Sequence, residues 1–421
     1  MNSQYRKQWI PYKLNELGSV GRGRSRHRPR NAPELYGGDY PFIQTAEVTA
    51  SEFYITSYSR TYSELGLAQS KMWNKDTLCI VNAGENTAET AILKFNACFP
   101  DSIIGFIANP QKADVRFIKY YLTTIKEQLR SITKGATQDN LSVDKLLSFD
   151  ILTPPLPTQK KIAAILSAYD NLIENNTRRI KILEEMAQTL YHEWFVKFRF
   201  PGHKHTKMVD SELGLIPEGW EVVSIRDVSV YMNRGIAPKY DEQSESIVIN
   251  QKCIRDNRIN LELARRHSKK VPEEKFLQFG DILINSTGIG TLGRVAQVYQ
   301  KISDCTVDSH VSIVRPADCV NIDYFGFALI QLQPYFDHMG VGSTGQTELS
   351  RQSIGDTNFL LPPKNLQETF SQAVSPMRHA MIGMFAKNSK LRQTRDLLLP
   401  KLISGEIDVE HLEITTEDIA A

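Results

Sequence analysis

Apolar side chains recur in alternating steps of four and three residues along two segments of this 421-residue sequence. The first segment spans residues 159–200, and the second begins at Asn365. This spacing is the heptad pattern of a coiled coil, in which a narrow apolar stripe must pack against another helix. At 1.5 Å per residue, the first stripe predicts a helix of roughly 60 Å.

The two stripes have the same phase, because the step from Ile162 to its counterpart Phe370 is kept along both of them. Each stripe carries one asparagine, which costs stability but fixes the register of a coiled coil. The long segment between the stripes allows the helices to meet head to tail, so we predict an antiparallel pair. The predicted seam positions are Ile162, Tyr169, Asn176, Leu183, Leu190, Phe370, Met377, Met384, Asn388, Leu391 and Leu398.

The segments that precede the stripes also repeat. Residues 98–102 (CFPDS) match residues 305–309 (CTVDS), and the Pro-Pro pair at 154–155 recurs at 362–363. A period of roughly 200 residues indicates a duplicated domain and not a solenoid of short repeats.

Within each copy, short apolar runs bounded by Gly, Asn and Pro predict strands. A helix then follows the predicted N-cap residues Asp114 and Asn321, and Asn365 with Glu368 resembles a capping box at the start of the second long helix. The predicted strands are 78–82, 91–95 and 102–107 in the first copy and 282–285, 294–299 and 311–314 in the second.

The predicted fold class is therefore α+β, with two duplicated β-rich domains separated by two long helices that form an antiparallel coiled coil. The predicted boundaries are 1–155 for the first domain, 156–200 for the first helix, 201–363 for the second domain, 364–405 for the second helix and 406–421 for an acidic tail.

Composition narrows the function. The chain has 50 Lys and Arg against 48 Asp and Glu, so affinity for nucleic acid must come from local patches. Its five cysteines show no C-x-x-C spacing, which favours reduced thiols over a disulfide or metal framework. The N-terminus has no apolar signal core, and we predict a cytoplasmic protein that is not membrane-bound.

Enzyme-like motifs are weak. Gly288, Gly290 and Gly293 form a G-x-G-x-x-G after a predicted strand, but a β-like run follows where a dinucleotide site needs a helix. A glycine-rich turn between paired strands is the better interpretation. His203 and His205 lack a third ligand nearby. We therefore predict no catalytic residues, no metal and no cofactor.

The strongest local charge feature is residues 21–30, which hold five arginines in a loop with Gly and Pro. A solvated flexible loop is one interpretation, and contact with DNA phosphates or base edges is the one we favour. The predicted DNA-binding residues are Arg22, Arg24, Arg26, Arg28, Arg30, Lys134 and Gln138 in the first copy, and Arg234, Lys239, Lys252, Arg255, Arg258, Thr287, Arg294 and Gln346 in the second.

Four segments together resemble the specificity subunit of type I restriction–modification systems, and the likeness covers nearly the whole chain. They are LPTQKKIAAIL at 156–166, WFVKF at 194–198, GLIPEGW at 214–220 and LLPKLISGE at 398–406. The first domain departs from the family's pattern because it lacks the usual Gly-rich turn at residues 83–88.

The resemblance implies two target-recognition domains that each read half of a split sequence in double-stranded DNA. It also implies methyltransferase (modification) subunits on the long helices and restriction motor–nuclease subunits beyond them, two of each, which carry the chemistry. The residues alone leave two other classes of protein possible. A self-sufficient DNA enzyme needs a catalytic motif that the sequence lacks, and a coiled-coil adaptor does not need duplicated β-rich domains with basic loops.

Overall fold

The computed structural model describes residues 9–133, 140–340 and 348–414. The chain divides into two compact units. Unit 1 comprises Met1–Thr177 and Ala386–Ala421, and unit 2 comprises Arg178–Phe385. Each unit therefore contains one globular domain and part of both long helices.

Unit 1 begins with short strands and helices that alternate along the chain. Its strands are β1 (Ile10–Tyr12), β2 (Gly18–Arg22), β3 (Tyr36–Phe42), β4 (Tyr54–Ile55), β5 (Arg60–Tyr62), β6 (Met72–Trp73), β7 (Leu78–Val81), β8 (Thr90–Leu93), β9 (Ala97–Cys98), β10 (Ile103–Ala108) and β11 (Ile151–Thr153). Its helices are α1 (Leu14–Leu17), α2 (Thr45–Ala50), α3 (Glu64–Ala68), α4 (Val115–Thr124), α5 (Lys126–Ser131) and α6 (Val143–Ser148).

The main sheet of unit 1 has the order β2-β10-β7-β8-β4, and a second sheet has the order β5-β3-β9-β6. All residues of β7 and β8 are buried, which explains why residues 78–81 and 91–93 form apolar runs and not alternating patterns. A separate pair, β1-β11, lies next to the start of the first long helix in the chain.

The first long helix, α7 (Leu156–Tyr191), continues into a π-helical turn at His192–Val196. The strands of unit 2 are β12 (Met208–Ser211), β13 (Gly214–Pro217), β14 (Glu221–Ser224), β15 (Ser229–Arg234), β16 (Ile247–Ile249), β17 (Ile254–Arg255), β18 (Arg258–Ile259), β19 (Arg265–Arg266), β20 (Ile282–Asn285), β21 (Val295–Gln297), β22 (Cys305–Val307), β23 (Val311–Pro316) and β24 (Asn358–Leu361). Its helices are α8 (Ile322–Gln331), α9 (Gln333–His338) and α10 (Arg351–Gly355), and the second long helix is α11 (Lys364–Ile403).

Unit 2 repeats the topology of unit 1. The sheet β15-β23-β20-β21 corresponds to β2-β10-β7-β8, and the pair β14-β24 corresponds to β1-β11. A parallel contact between β16 and β22 corresponds to the parallel contact between β3 and β9. The predicted duplication and all six predicted strands are therefore confirmed, with ends that differ by at most two residues.

The predicted N-caps are also confirmed. The Asp114 side chain accepts a hydrogen bond from the backbone N–H of Arg116, and the Asn321 side chain accepts one from Asp323. By contrast, Asn365 lies inside α11 and does not cap it, because the helix begins at Lys364 and the N–H groups of Leu366 and Gln367 donate to the Pro363 carbonyl.

The G-x-G-x-x-G segment is a hairpin turn, as predicted. Strands β20 and β21 on either side of it pair in antiparallel fashion. Gly293 has φ +73°, and a Cβ there would lie 2.5 Å from the backbone nitrogen of Asp337, so the turn needs glycine for its conformation and for space.

Each unit has its own core, and each core includes both long helices. In unit 1, Ile162 and Leu166 of α7 share a cluster with Leu402 of α11. In unit 2, Tyr191 of α7 shares a cluster with Phe370 of α11. An early segment of α7 thus meets a late segment of α11 in unit 1, and the reverse holds in unit 2, which confirms the predicted antiparallel pair. Among the described residues, no helix is long and apolar enough to span a membrane.

Candidate nucleic-acid interface

Corresponding ends of the two main sheets gather several of the predicted DNA-binding residues. In unit 1, Arg22 at the end of β2 pairs with Ile104, which in turn pairs with Ile80 near the end of β7. In unit 2, Arg234 at the end of β15 pairs with Ser312, which pairs with Ile284. We call this end of each sheet its loop edge, because the loops after β2 and β7, or after β15 and β20, leave from it.

An Arg-Gly pair leaves each loop edge at the same place. A Cβ at Gly23 would lie 2.2 Å from the Pro100 carbonyl oxygen, and one at Gly235 would lie 1.8 Å from that of Val307. Only glycine allows so close an approach of two backbones. The duplicated glycine therefore presses the basic loop of each unit against the neighbouring strand segment.

The arginine loop of unit 1 is anchored along its backbone. The N–H of Arg24 donates to the Phe99 carbonyl (3.0 Å), and the N–H of Arg26 donates to the Gln69 side chain (2.6 Å). The loop is consequently held in one place on the domain, and this anchoring favours a preformed surface over the solvated flexible loop that the sequence left open.

The five arginines of this loop differ in what occupies their side chains. Arg30 forms an ion pair with Asp101 (2.9 Å), and Arg22 donates to the carbonyl oxygen of the same residue (3.2 Å). Arg28 donates to carbonyls of its own loop, those of Ser25 and His27. For the guanidinium groups of Arg24 and Arg26, the described residues provide no acceptor, so these two are the best placed to meet a phosphate.

In unit 2 the loop edge borders an open cavity of about 990 Å³. Arg234 forms an ion pair with Glu348 (2.7 Å), and Arg351 donates to the Asn233 side chain (2.8 Å). Lys275 donates to the carbonyls of Arg234 and Gly235. The cavity is lined by four cationic side chains and two carboxylates, because Arg226 and its ion-pair partner Asp356 also border it. Exposed ion pairs contribute only about 0–1 kcal/mol, so a phosphate can displace them.

The other predicted residues of unit 2 have varied surroundings. Lys239, Lys252 and Arg255 are exposed. Arg294 donates to the Gly290 carbonyl (2.7 Å), and the Thr287 hydroxyl lies 2.6 Å from Nδ1 of His310. Lys134, Gln138 and Gln346 lie outside the described residues.

Arg258 has a different surrounding. Its guanidinium forms an ion pair with Glu184 of α7 and lies 4.7 Å from the ring centre of Phe385 in α11. It fastens the globular domain to the long helices, and we do not carry it into the proposed DNA-contact set.

The seam residues assigned from the sequence are all buried or half-buried. These are Ile162, Tyr169, Asn176, Leu183, Leu190, Phe370, Met377, Met384, Asn388, Leu391 and Leu398. The Asn176 amide donates to the Asn388 side chain (2.8 Å), so the two seam asparagines satisfy each other.

A buried carboxylate links the two long helices in unit 1. Asp170 of α7, only 4% exposed, accepts hydrogen bonds from Arg395 of α11 and from the Tyr120 hydroxyl of α4. Burial and the Asp170 charge raise the pKa of Tyr120 well above its usual value, so its proton stays on. In unit 2, Arg378 of α11 forms an ion pair with Asp323 of α8.

Two glutamines that position the long helices were not identified from the sequence. The Gln159 side chain, 1% exposed, donates to the Pro154 carbonyl and accepts from the N–H of Asp114, which caps α4. Gln367 repeats both contacts, with Pro362 and Asn321. Each glutamine ties the start of a long helix to its domain. The recurrence of Gln159 as Gln367, in phase with the seam, was the signal that could have identified them.

Four of the five cysteines are buried, and all are free thiols. Among the described residues, no group of three or more His, Cys, Asp or Glu side chains could hold a metal ion.

Comparison with known proteins gives consistent matches. Residues 6–185 match the family model described as "Type I restriction modification DNA specificity domain". The MjaIX specificity subunit of a type I restriction enzyme from Methanocaldococcus jannaschii is 27% identical over 96% of this chain and 95% of its own length. The HindI specificity subunit from Haemophilus influenzae is 21% identical over 94% and 99%.

A solved structure shares the fold. The crystal structure of the S subunit of a type I restriction–modification system from M. genitalium superposes with a TM-score of 0.61. It covers 96% of this chain and 97% of that chain at 16% identity. In its duplicated domains and paired long helices, and over nearly its whole length in sequence, the chain is similar to the specificity subunits of type I restriction–modification systems.

Proposed function

We propose that the chain is the non-catalytic, sequence-specific DNA-binding subunit of a type I restriction–modification complex. Unit 1 and unit 2 each read one half of a bipartite target in double-stranded DNA. The observation that carries this proposal is the duplicated loop edge, where an Arg-Gly pair presents cations at the same topological position in both units.

The division of labour follows from the arrangement of these cations. Arginine suits both tasks, because its planar fork binds phosphates and guanine edges in pairs of hydrogen bonds. Phosphate contacts fix the position of the domain on the duplex, and base contacts specify sequence. Arg24 and Arg26 in unit 1, and Arg234 with Arg351 in unit 2, are the residues to which we assign these contacts.

The partners are methyltransferase subunits and restriction motor–nuclease subunits, and we propose two of each. The duplication supports this number, because each unit contains one copy of the duplicated domain. In each unit this domain packs against the start of one long helix and the end of the other. Methyl transfer and cleavage are assigned to these partners. A coiled-coil adaptor without DNA recognition would not need the duplicated loop edge, and no contact among the described residues of either unit favours it.

Methylation-site sequencing tests this function. The host genome is compared with that of a strain in which only this gene is deleted and the partner genes are intact. We expect one split motif, two short specific halves around an unspecified spacer, to lose methylation completely and to regain it on complementation. Persistence of all motifs in the deletion strain would reject the proposal.

A further inference from the structure

The long helices correspond to each other residue by residue, yet their polar positions differ. The step that takes Ile162 to Phe370 takes Asn176 to Met384 and Ile180 to Asn388. The antiparallel register is the same in both units, since Asn176 contacts Asn388 in unit 1 and Trp194 contacts Phe370 in unit 2. Moving forward on α7 by any number of residues moves back on α11 by the same number. This register sets Ile180 opposite Met384.

The asparagine contact therefore exists only between unlike helices. Asn388, 2% exposed, also donates to the Ile173 carbonyl and the Thr177 hydroxyl. If α7 paired instead with α7 of a second copy, the register would set each Asn176 opposite Ile180 of that copy. Two buried amides would then lose their side-chain partners, which is costly in a water-excluded seam.

The buried acid in unit 1 gives a second, independent contrast. Asp170 is bound by Arg395, and the α7 residue that corresponds to Arg395 is Ala187. Pairing of α7 with a second α7 would remove the guanidinium that binds the Asp170 carboxylate. Removing one partner of a buried ion pair is strongly destabilising.

Charge at the domain–helix contacts gives a third contrast. In unit 1, Glu52 of the domain pairs with Arg392 of α11, and the α7 counterpart of Arg392 is Glu184. In unit 2, Arg258 of the domain pairs with that Glu184. Like-helix pairing would set Glu52 against a glutamate, or Arg258 against an arginine. The sign of the charge is inverted between corresponding positions, so each mispairing creates repulsion.

We propose that these polar contacts select the α7–α11 pair and disfavour the pairing of either helix with the same helix of a second copy. The surface of each helix thus fits one partner, the unlike helix of the duplicated chain. The apolar seam alone lacks this selectivity, because both stripes have the same phase. Because α7 pairs with α11, each complex contains both domains and not two copies of the same domain. The importance of this rests on the proposed function, in which each domain reads one half of a bipartite target.

Substitutions within the full chain can reproduce the seam contacts that two identical helices would make. Met384→Asn with Asn388→Ile gives α11 the seam residues of α7, so that Asn176 faces an isoleucine and Ile180 faces an asparagine. A matched control adds Asn176→Ile and Ile180→Asn, which restores one asparagine pair four residues along the seam with the same composition. Amide hydrogen exchange of residues 173–183 reports the stability of the helix pair.

We expect the one-sided variant to exchange roughly a hundredfold faster than the unmodified chain, because two buried amides lose their partners. The matched control, which carries all four substitutions, should recover most of the protection against exchange. If the one-sided variant does not fold, recovery of folded protein by the control gives the same answer. Equal protection in all three chains, or a control no better than the one-sided variant, would overturn the proposal.

Two charge variants test the contrast at the domain–helix contacts separately. Arg392→Glu gives α11 the charge that α7 carries at the corresponding position, and Glu52→Arg in the same chain restores opposite signs. We expect exchange along 390–398 to be about threefold faster in the single variant, as fits an exposed pair, and to return in the double variant. No recovery in the double variant would show that Glu52 and Arg392 do not select each other.

Discussion

Unit 1 and unit 2 keep the same framework but place charge differently inside it. Gln159 and Gln367 make the same contacts at the starts of the two long helices. In the main sheets, however, strand register sets Thr77 and Ile107 of unit 1 where unit 2 has the buried ion pair Asp281–Arg315. The glutamine contacts that join each domain to its long helix are thus common to both units, whereas the buried ion pair of the main sheet belongs to unit 2 and has no counterpart at the matching positions of unit 1.

The loop edges show the same contrast on the surface. Both units begin with an Arg-Gly pair, yet unit 1 continues into an anchored arginine loop and unit 2 into a cavity bordered by Arg234, Lys275 and Arg351. Different cation arrangements on one framework are what two different half-sites require. The comparison therefore separates what holds the domains from what they recognise.

The largest effect should come from breaking a contact that only one unit has. Arg315→Met leaves the Asp281 carboxylate, which is 0% exposed, without its cation, and we expect a loss of about 3–5 kcal/mol in the stability of unit 2. Ile107→Met at the corresponding position of unit 1 is the control, with a loss under about 1.5 kcal/mol. Exchange of the β20 and β7 amides measures both. Equal losses would contradict the comparison.

The buried Lys119 should give unit 1 a pH dependence of stability that has no counterpart at the matching position of unit 2. Burial lowers the pKa of Lys119 to about 8, an effect that the Asp170 charge partly offsets, and the corresponding residue of α8 is Gly326. The unfolded lysine titrates near ~10.4, so the unfolded chain binds more protons between these values and stability rises with pH from about 8 to about 10.4. Below pH 8 the full penalty of the buried charge is present.

Lys119→Met should therefore stabilise unit 1 at pH 7 by at most ~3 kcal/mol, and this gain should vanish near pH 10.5. Urea denaturation at pH 7 and pH 10 measures the difference between variant and parent. A gain that is independent of pH would mean that the substitution acts through packing and not through the lysine charge.

The shared framework can be tested in both units at once. Gln159→Leu and Gln367→Leu each leave a capping N–H and a proline carbonyl without their side-chain partner, so each should cost roughly 1–3 kcal/mol in its own unit. Lys160→Leu and Glu368→Leu, at the exposed neighbouring positions, should have little effect. Hydrogen exchange of α4 and α8 gives the readout, and a loss in only one unit would show that the glutamines are not equivalent.

The smallest effect concerns the arginine loop of unit 1. Arg24→Ala and Arg26→Ala should each weaken DNA binding by the assembled methyltransferase complex and reduce its salt slope by about one unit per lost phosphate contact. If either arginine reads a guanine edge, discrimination at one base should fall by about 1–3 kcal/mol. Arg28→Ala is the control, because that guanidinium is held by its own loop. Unchanged affinity and slope for both variants would remove this loop from the interface.

Periodic and local features could be predicted from the sequence. The heptad stripes, the two N-caps and the strand at residues 78–82 depend on neighbours a few residues apart, so their patterns survive in the linear sequence. The Asn176–Asn388 pair was also within reach, because each stripe carries one seam asparagine and a buried asparagine needs a polar partner.

Contacts without such a link could not be predicted. Glu52 and Arg392 are far apart in sequence, and no periodicity connects them. The anchoring of the arginine loop by Gln69 and Phe99 depends likewise on contacts between residues at least 43 positions apart, which no local pattern connects. Arg258 was assigned to DNA because its charge was visible, whereas its contact with Glu184 was not.

The central claim, one half-site for each duplicated domain, is tested most directly by a chimera. Residues 1–155 are replaced with the corresponding region of a relative that directs methylation of another sequence, and the chimera is expressed with the methyltransferase partner. Methylation-site sequencing should show a new first half-site, while the second half-site stays unchanged. A change in both halves, or in neither, would contradict the account.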